Sequence, residues 1–227
     1  MRGIKHASDR NGCDRGRGRS ESLCKEENVK GGNHYNKYAT KNPIERMLVQ
    51  GFLQTIRDLV SKTGANAIHE VGCGEGYLLQ ELAAPGRSLR GSDLCQETVS
   101  AARTRLEDLG TPIPFECMNL YNLSPAQHAT ELVMCCEVLE HVEDPEGAIN
   151  ILKSLAQPYL LVSVPREPLW RILNMGRLSY LKDFGNTPGH INHWSTRSFV
   201  RFLERHVAVL EVRTPLPWTV VLCKVVP

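Results

Sequence analysis

The sequence IHEVGCGEGY, from Ile68 to Tyr77, decides the fold of this chain. An apolar run that contains one acid stops at glycines on alternate positions, and residues 77–84 then place apolar side chains at helical spacing. Glycines suit a turn whose backbone needs a positive φ or passes close to a ligand, because they have no Cβ. The free N–H groups of the following helix point back at that turn. The stretch therefore predicts a strand, a glycine turn and a helix that together form a nucleotide-type cradle.

Bulk composition narrows the class of protein. A length of 227 residues predicts one domain of ordinary size. The formal net charge of +2 implies no strong electrostatic attraction for polyanions. The 8 cysteines are scattered and never spaced C-x-x-C, which favours buried thiols over a metal or disulfide framework. No apolar run approaches the length of a membrane span and no signal-peptide pattern opens the chain, so we expect a cytoplasmic protein.

Residues 1–32 differ from the rest of the chain. They are rich in Gly, Ser and charged residues, and they hold eight Lys and Arg against five Asp and Glu. Such a stretch buries too little apolar surface to offset its ordering entropy. We expect a disordered basic extension, with a nucleic-acid arm as the alternative. The remaining residues, 33–227, are nearly neutral and form the predicted domain.

A second strand, over residues 88–94, ends in an acid. Asp93 lies roughly 20 residues past the glycines, where α/β nucleotide sites place the carboxylate that accepts hydrogen bonds from ribose hydroxyls. Helices and strands then alternate, with further strands predicted at 112–119, 131–136 and 159–164. The run at 131–136 is continuously apolar, as a central parallel strand buried on both faces requires.

The end of the chain breaks this alternation. Residues 166–194 follow the fifth strand and read as a helix and a loop, which predicts a substrate cap. The last two strands, 207–213 and 218–225, are joined by only four residues, which permits an antiparallel pair alone. The expected fold class is α/β: a Rossmann-like, seven-stranded, mostly parallel sheet with an antiparallel last strand and helices on both faces.

Four motifs in this order resemble the class I S-adenosylmethionine (SAM) methyltransferases, over about residues 33–227. They are the acid and glycines of 70–76, Asp93, the Asn119–Leu120 pair, and the fourth-strand motif CCEVLEHVEDP at 135–145. The resemblance implies SAM as the cofactor and a small-molecule branch of the family. It implies a set of cofactor-binding residues: Glu70, Gly72, Cys73, Gly74, Asp93, Leu94, Asn119, Leu120, Cys136 and Glu137. Within this set, the amide oxygen of Asn119 would meet the adenine amino group.

Two tyrosines precede the first long helix. Tyr35 and Tyr38 could fold over a ligand in the glycine cradle, or they could form an N-terminal staple for the helix that follows. The sequence favours neither role over the other.

A carboxylate–histidine group follows strand four. Glu137, Glu140 and His141 stand at i, i+3 and i+4, so a helical turn would bring them to one face at the ligand-binding end of the sheet. We predict His141 as a base or orienting group, with the two carboxylates beside it, and no metal. The alternative is a divalent cation held by Glu137, Glu140, His141 and His193, as in metal-dependent relatives such as the small-RNA 2′-O-methyltransferases.

The cap supplies aromatic and imidazole side chains for an acceptor, or for packing against the sheet edge. The predicted substrate residues are Trp170, Tyr180, His190, His193 and Trp194. The expected activity is methyl transfer from SAM to an oxygen of a small-molecule, lipid or glycan acceptor. The alternatives are RNA 2′-O-methylation, which the near-neutral domain disfavours, and SAM binding without catalysis.

Overall fold

The computed structural model describes Tyr38 and residues 40–109, 112–176 and 184–226. The predictions for residues 1–32, for Tyr35 and for Tyr180 lie outside these residues. The helices are α1 (Pro43–Thr63), α2 (Tyr77–Leu82), α3 (Gln96–Leu106), α4 (Pro125–His128), α5 (Pro145–Leu155), α6 (Leu169–Gly176) and α7 (Thr196–Glu204). The strands are β1 (Ala67–Val71), β2 (Ser88–Asp93), β3 (Phe115–Cys117), β4 (Thr130–Cys136), β5 (Ala156–Pro165), β6 (Ala208–Arg213) and β7 (Trp218–Lys224).

These strands form one sheet in the order β3-β2-β1-β4-β5-β7-β6. The pairs among β1 to β5 are parallel, whereas β7 is antiparallel to both β5 and β6, which confirms the predicted fold class. The order reverses between β1 and β4, and ligands bind at such switch points, outside the carboxyl ends of the strands. We call this side of the sheet the carboxyl edge. Because β7 runs backwards, its first residue, Trp218, pairs with Pro165 at this edge.

Helix α1 covers the sheet near its reversed strand. Asn42 caps the helix by accepting a hydrogen bond from the backbone N–H of Ile44, and Gly64 ends it in the left-handed conformation. The Phe52 ring lies 4.8 Å from the ring of Trp218. Met47, near the start of this helix, is 66% exposed.

The sheet separates two apolar layers. One layer joins the buried faces of α1, α2 and α3 to β1 and β4, and the other joins α5 and α7 to β4 and β5. Adjacent residues of β4 alternate between the layers: Met134 belongs to the first and Cys135 to the second. A strand buried on both faces explains the unbroken apolar run of its sequence.

The six cysteines within the described ranges are free thiols, and all but Cys117 are buried. Of the helices in the same ranges, none combines the length and apolar character needed to cross a bilayer.

Candidate cofactor and catalytic site

The glycine turn after β1 has the backbone that its sequence predicts. Gly72, Gly74 and Gly76 all adopt positive φ, at 75°, 51° and 77°. A Cβ on Gly72 would lie 2.2 Å from Cγ2 of Val138, whereas a Cβ on Gly74 would meet no atom within 4 Å. Gly72 therefore lets two chain segments meet, and Gly74 borders open space. This open cradle at the carboxyl edge fits the amino-acid part of SAM, which needs close approach of the backbone.

A hydrogen bond to Asp93 links the glycine turn to the end of β2. Oδ2 of Asp93 accepts a hydrogen bond from the backbone N–H of Gly74 at 2.8 Å. Its Oδ1 accepts from the backbone N–H of Cys95 at 3.0 Å and from Oγ1 of Thr98 at 3.1 Å. A carboxylate offers about four lone-pair sites, so capacity remains for a ribose hydroxyl. The ribose role stays a prediction, and the link to Gly74 is an additional role that the sequence does not reveal.

Asn119 has a local function at the end of β3. Its amide oxygen accepts a hydrogen bond from the backbone N–H of Tyr121 at 3.0 Å and so caps the short 3₁₀ turn of Leu120–Asn122. The predicted contact with the adenine amino group would have to use the second lone pair of the same oxygen. That contact, and the one expected at Leu120, remain predictions.

An aromatic and cationic stack supports the start of α2. The ring of Tyr38 stacks on that of Tyr77, with centroids 4.3 Å apart, and the guanidinium of Arg105 lies 3.7 Å from the Tyr77 centroid. Arg105 also donates from Nε to the backbone carbonyl of Glu75 at 3.0 Å. Tyr38 therefore lies beside the glycine turn, where either predicted role is available to it. The sequence pattern did not single out Tyr77 or Arg105.

Three of the predicted cofactor residues are buried in or next to the sheet. Glu70 is 2% exposed, and Cys73 and Cys136 are also buried. Burial raises the pKa of both thiols well above the ordinary value, so both stay protonated at neutral pH. They can shape the cradle, but they do not offer a thiolate. The exposed side of the cradle is formed by Gly74 and by Leu94, which is 37% exposed.

Glu137 does not share a helical face with Glu140 and His141, which corrects the predicted arrangement. Only Leu139–His141 forms a turn, a 3₁₀ helix, and Glu137 precedes it at φ 61°, in the left-handed region. Its Oε2 accepts a hydrogen bond from the indole N–H of Trp218 at 2.7 Å, and its Oε1 accepts from Oγ of Ser163 at 3.4 Å. The positive φ directs this carboxylate towards β5 and β7, where it anchors the edge of the sheet.

The residues that do meet are Glu140, His141 and His190. One ligand atom of each lies within 4.8 Å of the others. The His141 and His190 rings lie edge to face, with centroids 4.8 Å apart, and Nδ1 of His141 lies 3.0 Å from the carbonyl oxygen of Gly189. Two residues of the alternative metal set, Glu137 and His193, are not in this cluster, and His190 is there instead. His193 lies 3.7 Å from a carboxylate oxygen of Glu167.

The chemistry of this cluster has two forms. One carboxylate and two imidazoles suit a divalent transition metal, and a carbonyl behind an imidazole is a common outer-shell partner of such ligands. The same carbonyl also orients a histidine that acts as a base. The cluster can therefore accept a proton or hold a cation at the carboxyl edge.

The two cap tryptophans have different surroundings. Trp170 lies 6.2 Å from the His190 ring and 5.9 Å from the Trp218 ring, and its indole N–H donates to Oγ1 of Thr187 at 2.9 Å. It therefore borders the cluster, as a substrate residue would. Trp194 instead packs against Phe199 and Phe202 of α7, at 5.5 and 5.8 Å, which supports a packing role in place of the predicted substrate role.

Comparison with known proteins finds a methyltransferase domain in this chain. Residues 69–159 match a family model described as a methyltransferase domain. A ubiquinone biosynthesis O-methyltransferase of Chromobacterium violaceum is 30% identical over 129 residues, covering 50% of this chain and 56% of the relative. The same enzyme of Coxiella burnetii is 25% identical over 167 residues, covering 67% of this chain and 70% of the relative. The chain thus spans little more than half the length of the first relative.

A solved structure shares the fold. Magnesium protoporphyrin IX methyltransferase of Synechocystis PCC 6803, with bound S-adenosylhomocysteine, superposes with a TM-score of 0.63 at 20% identity. The match covers 82% of this chain and 88% of that one. The sheet with its reversed last strand, the open glycine turn and the match over residues 69–159 together support a class I SAM-dependent methyltransferase.

Proposed function

We propose that this chain transfers the methyl group of SAM to a hydroxyl oxygen of a small molecule, including lipid or glycan acceptors. The observation that carries the proposal is the position of the Glu140–His141–His190 cluster, on the same carboxyl edge as the open glycine turn. SAM, when bound, supplies a methyl group that is already activated by its sulfonium. The protein then has to hold the acceptor in line and take up its proton.

An oxygen acceptor is favoured by the imidazole and by the relatives. A hydroxyl must lose its proton as the new bond to carbon forms, and His141 can receive that proton. Both relatives described above are named O-methyltransferases. The ring of Trp170 beside His190 offers an apolar surface on which a planar acceptor such as a phenol or catechol could stack.

The test measures transfer of label from [methyl-³H]SAM to a panel of catechols, phenols and sugars. His141→Gln should lower turnover by about 10²–10⁴-fold, the usual contribution of a positioned base. His206→Gln is the matched control, because that imidazole contacts Glu146 at 2.6 Å, outside the cluster. SAM binding without turnover on any acceptor would support a binding protein instead. Retention of a small RNA on a filter at low salt would favour the RNA alternative.

Metal assistance is the second interpretation of the same cluster. The assay is therefore repeated after treatment with a chelator and after addition of Mg²⁺ or Mn²⁺. Turnover that stops on chelation and returns with the ion would assign Glu140, His141 and His190 as ligands. Unchanged turnover would leave His141 as the base.

A further inference from the structure

A short part of the cap binds the turn that carries His141. We call residues 189–192 the clamp segment. The side-chain amide nitrogen of Asn192 donates to the carbonyl oxygen of Leu139 at 3.1 Å and to that of Val142 at 2.6 Å. The backbone N–H groups of Ile191 and Asn192 both donate to the carbonyl oxygen of Glu140, at 2.9 and 3.0 Å. The segment thus binds three carbonyls on and next to the 3₁₀ turn, which an isolated turn would leave to water.

The clamp segment also determines which nitrogen of His141 carries hydrogen. Nδ1 lies 3.0 Å from the carbonyl oxygen of Gly189. A carbonyl can only accept, so Nδ1 is the protonated nitrogen of the neutral ring and the lone pair is on Nε2. Gly189 adopts φ 87°, and a Cβ there would lie 3.4 Å from Nδ1. A residue with a side chain would therefore be strained here, with its Cβ in van der Waals contact with the imidazole.

We propose that Asn192 is a positioning residue for His141. Its two hydrogen bonds hold the turn against the clamp segment, and the turn in that place keeps Nδ1 of His141 on the Gly189 carbonyl. The imidazole is thereby fixed in the form whose Nε2 can accept a proton. An asparagine is needed because one amide nitrogen supplies two donors, which neither aspartate nor alanine can supply.

The catalytic meaning of this arrangement rests on the proposed function. In that reaction the acceptor oxygen forms a bond to the methyl carbon while the sulfur–carbon bond breaks. The proton of the acceptor hydroxyl passes to Nε2 of His141. The positive charge of the sulfonium is lost as the imidazolium forms, so atoms and charge balance.

The experiment records the imidazole ¹H–¹⁵N correlations of the full chain at neutral pH, with the His141 signals assigned from His141→Gln. The wild type should show the Nδ1–H form of His141. In Asn192→Asp, which keeps the shape but lacks the donors, that form should no longer dominate. Asn174→Asp is the matched control, because Asn174 is a buried cap amide that donates to Gly185 and Thr187 rather than to the turn.

An Nε2–H form in the wild type would overturn the inference, and so would an unchanged His141 signal in Asn192→Asp. If Asn192→Asp does not fold, Asn192→Ser, which retains one donor, replaces it and should show an intermediate shift. Calorimetric titration with S-adenosylhomocysteine separates the two proposals. Binding should stay within about twofold of wild type in Asn192→Asp, since the side-chain amide of Asn192 donates to the His141 turn. Failure of the wild type to bind would contradict the proposed function and leave the tautomer result standing.

Discussion

The glycine cradle and the His141 turn lie on the same edge of the sheet but are built in different ways. In the cradle, Asp93 reaches Gly74 across 19 residues, and Arg105 reaches Glu75 across 30. Around the turn, the distances along the chain are longer: 48 residues separate His141 from Gly189, and 81 separate Glu137 from Trp218. The cofactor half is thus close to a local strand–turn–helix unit. The half that holds His141 exists only when distant segments have met.

The two regions also differ in the groups that they use. The cradle depends on glycine backbone and on one carboxylate that binds backbone N–H groups. The turn region depends on donors from distant segments: the side-chain amide of Asn192, the backbone N–H groups of Ile191 and Asn192, and the indole of Trp218. Substitutions in each region test this difference, and the predictions below follow in order of decreasing expected effect.

The largest effect is expected for Gly72→Ala in the cradle. The positive φ should cost about 1–2 kcal/mol, and the overlap with Val138 about 1–3 kcal/mol more, in free energy of unfolding. Gly74→Ala is the matched variant, because it shares the positive φ but meets open space. Its free energy of unfolding should fall only by the cost of the positive φ, and it should bind SAM more weakly. Urea denaturation and calorimetry measure the two quantities. Equal losses of stability in the two variants would contradict the close contact between Gly72 and Val138.

The second prediction concerns pH and His69, on β1 beneath the cradle. Its Nε2 lies 3.0 Å from Oγ of Ser92, and burial lowers its pKa from 6.5 to about 4. Between these values the unfolded chain binds a proton that the folded chain does not. Stability should therefore fall as pH drops from 6.5 towards 4, by up to about 3 kcal/mol.

His69→Gln should flatten that dependence, because glutamine does not titrate. The measurement is the free energy of unfolding in urea at several pH values between 7 and 4.5. Parallel curves for the two proteins would show that another group accounts for the loss.

Trp218→Phe tests the turn region. The substitution removes the indole N–H that binds the Glu137 carboxylate, and hydrogen bonds to charged groups contribute about 1.5–3 kcal/mol. Trp194→Phe is the control, since the indole of Trp194 donates no hydrogen bond to the part of the chain that the structure describes. The free energy of unfolding should fall by less in Trp194→Phe than in Trp218→Phe. SAM affinity should change little in either protein, and a large drop in Trp218→Phe would mean that the two regions are coupled.

Asp93→Ala should have the smallest effect of the four, and it should act on cofactor affinity. The variant lacks the carboxylate that would accept from the ribose and that accepts the hydrogen bond from Gly74, so SAM binding should weaken by about 1–3 kcal/mol. Asp108→Ala, an exposed acid after α3, serves as the control. Calorimetry measures both dissociation constants, and unchanged binding in Asp93→Ala would overturn the cofactor assignment.

The sequence predicted the cradle better than the turn, for a physical reason. The alternation of strands and helices, the antiparallel pairing of the last two strands and the glycine conformations follow from periodicity, from the short last connection and from local steric rules. The i, i+3, i+4 spacing of Glu137, Glu140 and His141 assumed a regular α-helical turn. Glu137 instead adopts φ 61°. The left-handed region is unusual for any residue with a side chain, so no sequence pattern predicts it for a glutamate.

The choice between the two cap histidines was beyond the sequence for a similar reason. His190 and His193 are three residues apart, and either could complete the cluster by spacing alone. The backbone of Gly189, at φ 87°, decides which one faces His141. Trp218 was also missed as a functional residue, since its role depends on the direction of β7 rather than on any neighbouring motif.

The reversed last strand has a consequence for the order in which the molecule can assemble during synthesis. The glycine turn, Asp93 and Arg105 all leave the ribosome before β4 is complete. Glu137 then has to wait for Trp218, which follows it by 81 residues and inserts between β5 and β6 in space. A nascent chain would thus contain the glycine turn, Asp93 and Arg105 well before the partners of Glu137 and His141 have been made.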